Sequence, residues 1–158
     1  MRRIPEPQLD AWRAVVETYG AVTAAVEHDL AAAGLPPLAW YDALYSLYAA
    51  PERMLRMSEL AARVARSRGG TTKLVDRLEA QGLLQRRSCA EDRRVQYAVL
   101  LDPGVALMRT MWPVYATAID RYFASAVAGP EADVLREALR RARDTACDAV
   151  VETAASAA

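Results

Sequence analysis

A mainly α-helical fold with one small β-wing follows from three observations on the sequence. The first is a pair of short helical segments, 58–64 and a second from Ser67 or Gly69 to Ala80, with only Ala65-Arg66 left between them for a tight turn. The second is a pair of segments that read as strands, 83–87 and 95–100, flanking a polar, charged tip at 88–94. The third is a set of long amphipathic helical segments on either side of this centre. Two short helices joined by a tight turn make a helix-turn-helix, whose second helix enters the DNA major groove. Two strands directly after it make a wing. The predicted fold is therefore a winged helix-turn-helix domain, 38–101, plus N- and C-terminal helices, 8–34 and 103–152, forming a dimerisation region.

Each element has its own signal. Over 8–33, Leu9, Trp12, Val16, Tyr19, Val22, Val26 and Leu30 recur at three- and four-residue steps, an apolar stripe of helical period. Gly34 stops that helix and Pro36-Pro37 forbid its continuation. The segment 38–49 carries Trp40, Tyr41, Leu44, Tyr45, Leu47 and Tyr48, so it is apolar nearly all round and expected to be central and buried, with Pro51 ending it. Asp42 is the odd residue there, placed to cap or pair locally or to face a pocket. Residues 55–57 can add a short strand beside the wing, after which Ser58 is a good N-cap.

In the next helix Leu74, Val75 and Leu78 share one apolar face with Thr71, and Lys73, Asp76, Arg77 and Ala80 share the other. Gly69-Gly70 would cost roughly 1 kcal/mol per glycine inside a helix. At the helix start the pair costs less and lets backbone N–H groups approach a phosphate. Gly-Gly-Thr-Thr-Lys is not a nucleotide-binding loop, since the spacing is wrong and no strand precedes it. Gly82 closes the helix. After the wing, Asp102 is placed as an N-cap with Pro103 at the first helical position. The helix 105–127 then carries Met108, Met111, Trp112, Tyr115, Ile119, Tyr122 and Phe123 on one stripe, with Pro113 expected to kink it or to break one hydrogen bond. Gly129-Pro130 separates it from a last helix over 131–151, with Leu135, Ala138, Leu139, Ala142 and Ala146 aligned.

The chain has 158 residues, 20 basic and 20 acidic, so its net charge is zero. The distribution is uneven. Residues 63–97 hold nine basic and four acidic residues, a net of +5, while 1–62 net −3 and 98–158 net −2. A basic middle between acidic ends fits a DNA reader with non-binding flanks. No apolar run approaches membrane-spanning length, no apolar stretch follows Arg2-Arg3 as a signal peptide would need, and two distant cysteines lack metal-ligand spacing. These features point to a reducing cytoplasm, with neither membrane, metal nor cofactor expected. An enzyme is disfavoured: there is no nucleophile elbow, no paired-histidine motif, no dinucleotide fingerprint, and a single histidine, His28. The remaining rival is a ligand- or protein-binding helical bundle without DNA affinity, against which the basic wing argues.

Four ordered motifs carry a resemblance. Met57-Ser58-Glu59-Leu60-Ala61, Thr72-Lys73-Leu74-Val75-Asp76-Arg77-Leu78-Glu79, Gly82-Leu83-Leu84-Gln85-Arg86 and Asp92-Arg93-Arg94 resemble the MarR family of bacterial transcriptional regulators. Where that family usually carries a threonine, this chain has Leu101, and Asp102 is placed to replace the lost cap. The resemblance implies a symmetric, intertwined homodimer that binds double-stranded DNA at a pseudo-palindromic operator, with repression the commoner outcome. Lys73 and Arg77 are then the candidates for base edges, since their donors suit guanine acceptors. Arg68, Gly69, Thr71 and Thr72 stand at the helix start for bases or phosphates. Arg94 matches the family arginine that reaches toward the minor groove, Asp92 the acid that orients it, and Arg93 is placed for the same job. Arg86 and Arg87 suit the phosphate backbone.

Relatives of this kind are often released from DNA by small aromatic or phenolic ligands bound between the dimer helices and the winged domain. Trp12, Tyr19, His28, Trp40, Tyr41, Tyr45, Trp112 and Tyr115 are the aromatic-type side chains that could line such a cleft, the alternative being that they are core. Redox switching in the family usually uses a cysteine early in the first helix, which is absent here. Cys89, on the wing among Arg86, Arg87 and Arg93, is the redox candidate, because nearby positive charge favours the thiolate.

Overall fold

The computed structural model describes residues 4–64, 68–89, 92 and 94–156. Helix α1 (Glu6–Ala32) enters at Pro5, whose fixed φ suits a helix start, and carries Glu6 in its first turn. It ends as its sequence demands. Gly34 adopts φ +69, its N–H bonds Ala31 O at 3.0 Å, and Leu35 N–H reaches back to Leu30 O at 2.9 Å. Helix α2 (Leu38–Tyr48) starts after Pro36-Pro37, and the Glu27 carboxylate of α1 accepts the Leu38 N–H at 3.1 Å, satisfying one of its orphan donors.

Strand β1 (Met54–Arg56) lies one residue earlier than the sequence suggested, because Met57 already belongs to α3 (Met57–Arg63). Ser58 therefore does not cap α3. Instead Glu59 reaches back and accepts the Arg56 N–H at 2.9 Å, so the third residue of the helix does the capping. Helix α4 (Arg68–Ala80) follows, with Gly69 and Gly70 in its first turn as expected. The turn 65–66 and Ser67 lie outside the described residues. Gly82 at φ +67 closes α4, donating to Glu79 O at 2.9 Å while Leu83 N–H reaches Leu78 O at 3.0 Å.

Strands β2 (Leu84–Ser88) and β3 (Gln96–Leu100) form the wing, each starting one residue later than expected. The antiparallel sheet has the order β1-β3-β2. Its register pairs Leu55 with Ala98 and Ala98 with Arg86 on one face, and Arg56 with Tyr97 and Tyr97 with Arg87 on the other. Leu55, Leu84, Ala98 and Leu100 are buried, so the first face meets the core and the second is outside.

Helix α5 (Asp102–Ile119) packs against α1 and α2. Asp102 does not serve as its N-cap: Leu101 O accepts the first N–H groups, from Gly104 and Val105, and the Asp102 carboxylate pairs with Arg53 at 3.2 Å. The helix continues through Pro113, and the Thr117 hydroxyl donates to Pro113 O at 2.8 Å. The core of this unit, which runs to Ile119, is built by Val26, Leu30, Leu44, Leu47, Leu60, Leu78, Leu84 and Met111. Helix α2 is central, though not covered all round: Tyr45 and Tyr48 stay exposed.

The stripe expected over 105–127 is interrupted at Ile119 by a π-helical turn, Asp120–Ala124, that opens a second compact unit, Asp120–Ala158. In it Ser125 N–H bonds Asp120 O at 3.0 Å, and Arg121 lies over the Tyr122 ring at 5.4 Å. Gly129 at φ +60 turns the chain into α6 (Pro130–Ser156). Its Val134 and Leu139 are exposed. Among the described residues no helix is long and apolar enough to cross a membrane.

Candidate nucleic-acid interface

The two faces of α4 separate as their spacing dictates. Leu74, Val75 and Leu78 are buried, while Thr72, Lys73, Asp76 and Arg77 are exposed. Thr71 was expected at the groove and is not there. It is 1% exposed, packed on the same face as Leu74, Val75 and Leu78, as a residue three, four and seven positions before them must be. Lys73 and Arg77, four residues apart, project from one side, and neither makes an ion pair among the described residues. The Arg68 side chain and the exposure of Gly69 lie outside what the structure describes.

The acids of α4 are taken by Arg86, not by Arg77. The Arg86 guanidinium bonds Glu79 Oε2 at 2.6 Å and Asp76 Oδ1 at 2.5 Å, and approaches Thr72 O at 3.4 Å. Its backbone N–H gives a fourth link, to Glu79 Oε1 at 2.7 Å. Burial opposes the positive charge, yet the hydrogen bonds that the guanidinium donates to both carboxylates outweigh that cost and raise the pKa of Arg86. Its side chain is 26% exposed. The expectation that Arg86 meets the phosphate backbone gives way to a different placement, a clamp joining α4 to β2.

At the wing, Asp92 Oδ1 accepts both the backbone N–H of Arg94 at 2.9 Å and its Nε at 3.2 Å, the orienting arrangement expected of that pair. The Arg94 side chain is 92% exposed at the tip. Cys89 N–H and Val95 O close the base of the hairpin at 2.9 Å. Cys89 is half-buried, and of the arginines expected around it Arg86 is committed elsewhere. Arg93 lies outside the described residues.

Of the eight residues named for a ligand cleft, four come together. Tyr41 stacks with Tyr45 at 6.0 Å and with Trp112 at 6.2 Å, and meets Tyr115 edge-on at 4.9 Å. Trp112 and Tyr115 are edge-on at 6.1 Å. Burial raises the pKa of Tyr41, helped by Tyr45 and Asp42; burial and then Asp42 raise that of Tyr115. Asp42 thus sits electrostatically against this cluster. Trp12, Tyr19, His28 and Trp40 make no ring contact with it; Trp12 and Tyr19 are 63% and 71% exposed on α1. Among the described residues no group of three or more His, Cys, Asp or Glu could hold a metal ion.

Sequence reasoning missed the Arg86 clamp and, although it named Arg87 for the phosphate backbone, missed the outer-face row that Arg87 forms with Tyr97 and Arg56. A signal for the first existed: Arg86 alternates with Leu84 along β2, so it points toward the core and must find acids there.

Comparison with known proteins places this geometry. A model of the MarR family matches residues 33–95, which spans α2 through β2 and ends just before β3. The chain is 29% identical over 85 residues to the HTH-type transcriptional regulator MhqR of Bacillus subtilis (strain 168), covering 54% of this chain and 58% of that protein. It is 28% identical over 101 residues to the transcriptional repressor MprA of Escherichia coli (strain K12), covering 64% and 57%. The chain thus spans little more than half the length of these curated relatives. Among solved structures, Sco3205 of Streptomyces coelicolor, a MarR family transcriptional regulator crystallised in complex with DNA, superposes with a TM-score of 0.79. It is 26% identical, with 92% of this chain and 91% of that one covered.

Proposed function

The chain belongs to the MarR family of winged helix-turn-helix regulators, and from that premise we propose that it is a dimeric, DNA-binding repressor acting at a pseudo-palindromic operator. One observation carries the reading. Helix α4 buries Thr71, Leu74, Val75 and Leu78 and thereby aims Thr72, Lys73 and Arg77 outward, with Asp76 beside them neutralised by Arg86. That is a recognition face held rigid from behind. Lys73 and Arg77 would read base edges in the major groove and Arg94, oriented by Asp92, would enter the minor groove.

Two further features support the assembly. Trp12, Val16 and Tyr19 on α1, and Val134 and Leu139 on α6, are large apolar side chains left in water, which a second copy would cover. The names of MhqR and MprA support a role in transcription, and that of MprA supports repression. The cluster Tyr41, Tyr45, Trp112 and Tyr115 offers π faces to a small aromatic effector, whose binding would release the operator.

Selection of duplexes from a random library tests this reading. The expected product is an inverted repeat whose half-sites lie about 10 bp apart, one turn of DNA, as two-fold symmetry requires. Recovery of unrelated sequences with no half-site would contradict it.

A further inference from the structure

The outer face of the wing sheet carries a row that neither the recognition helix nor the hairpin tip uses. The β1–β3–β2 register sets Arg56, Tyr97 and Arg87 directly opposite one another, so all three side chains leave from the same face. Both arginines are exposed and Tyr97 is half-buried between them. They lean over the central strand from both sides. Arg56 Nε approaches the Tyr97 hydroxyl at 3.4 Å, with the guanidinium 5.9 Å from the ring centroid, and Arg87 crosses to Met54 Sδ at 3.4 Å. Neither forms an ion pair among the described residues. The acid next to Arg56, Glu59, uses a carboxylate oxygen to cap the Arg56 backbone.

Two like charges two strand spacings apart, about 10 Å, repel each other, and no ion pair among the described residues offsets that repulsion. An anion laid across Tyr97 would turn that repulsion into a gain. Strands β2 and β3, which carry Arg87 and Tyr97, lead to the tip that bears Asp92 and Arg94, so a duplex engaged at the tip would run its backbone beside the row.

We propose that Arg56 and Arg87, with Tyr97 as the rigid spacer between them, form a two-armed site for the DNA phosphate backbone flanking the wing's minor groove. This rests on the DNA-binding reading above and deepens it: the row adds affinity without sequence information, because phosphates are the same at every base pair. Tyr97 positions Arg56 by its hydroxyl and its ring face.

Titrating an operator duplex over a salt series, with wild type, Arg87→Ala, Arg87→Lys, Arg56→Ala and Tyr97→Phe, tests it. Each alanine variant is expected to lose roughly tenfold in affinity near 0.1 M salt and to lower the slope of log K against log salt by about one. The loss should be equal on operator and non-operator duplexes. Arg87→Lys should restore the slope, and Tyr97→Phe, which keeps the fold, should weaken binding less than Arg56→Ala. Wild-type slope and affinity in the Arg87 and Arg56 variants, while Arg77→Ala still loses the operator, would overturn this site and leave the DNA reading standing. No salt-dependent binding by wild type would overturn both.

Discussion

Replacing Arg86 by methionine is expected to lower operator affinity at least tenfold and stability by about 1–2 kcal/mol, although Arg86 touches no DNA in this account. Methionine keeps the stem's apolar length and removes the fork that spans Asp76 and Glu79. Hydrogen bonds to charged groups contribute about 1.5–3 kcal/mol when well buried, and partial exposure of all three side chains discounts that figure. The larger effect falls on binding. Asp76 sits between Lys73 and Arg77 on the exposed face of α4, and its carboxylate would then face DNA phosphates unneutralised. Arg86→Lys separates the two readings of this residue. A phosphate contact would tolerate lysine and respond in its salt slope, whereas a clamp on two carboxylates needs the planar fork and would not be rescued. Affinity, salt slope and thermal midpoint measured on both variants check the prediction.

Gly104→Val is expected to cost about 3 kcal/mol, a fall in thermal midpoint of roughly 6–12 °C for a chain of this size. A Cβ at this first turn of α5 would run into the Leu83 carbonyl oxygen and stand 2.7 Å from Leu100 Cδ1 and 3.2 Å from Leu44 Cδ2. The Leu83 carbonyl cannot swing aside, because it accepts the Leu101 N–H at 3.0 Å. Glycine lets α5 press directly onto the root of the wing. Gly104→Ala should be milder, about 1–2 kcal/mol, since alanine recovers some helix propensity. A thermal midpoint unchanged in both variants would mean that the helix start can shift at no cost.

The elements of this fold were legible where one local rule decided them. Gly34 and Gly82 marked helix ends because only a left-handed residue completes those caps, and both adopt positive φ. The α4 faces followed from spacing alone: Thr71 was placed with Leu74, Val75 and Leu78 and is buried with them. That burial withdraws it from the DNA contact that its polarity and its place at the helix start had suggested. What stayed hidden depended on partners far away in sequence. Asp102 was read as a helix cap from its neighbours, yet Arg53, 49 positions earlier, takes its carboxylate. The strand pairing that brings Arg56 opposite Tyr97 links residues 41 positions apart, and no periodicity announces it. The aromatic residues divided for a similar reason: Tyr41, Tyr45, Trp112 and Tyr115 meet because α2 packs on α5, while Trp12 and Tyr19 lie on the part of α1 that this unit leaves in solvent.

The central claim is that Lys73 and Arg77 on α4, with Arg94 on the wing, read DNA. It is tested most directly by equilibrium binding to the duplex flanking the protein's own gene, across a salt series, for wild type, Arg77→Ala and Arg94→Ala. Tight binding that falls steeply with salt, and a loss of about 1–3 kcal/mol in each variant, is the expected result. Equally weak binding by all three at low salt would contradict the claim and leave a helical bundle whose basic wing serves another purpose.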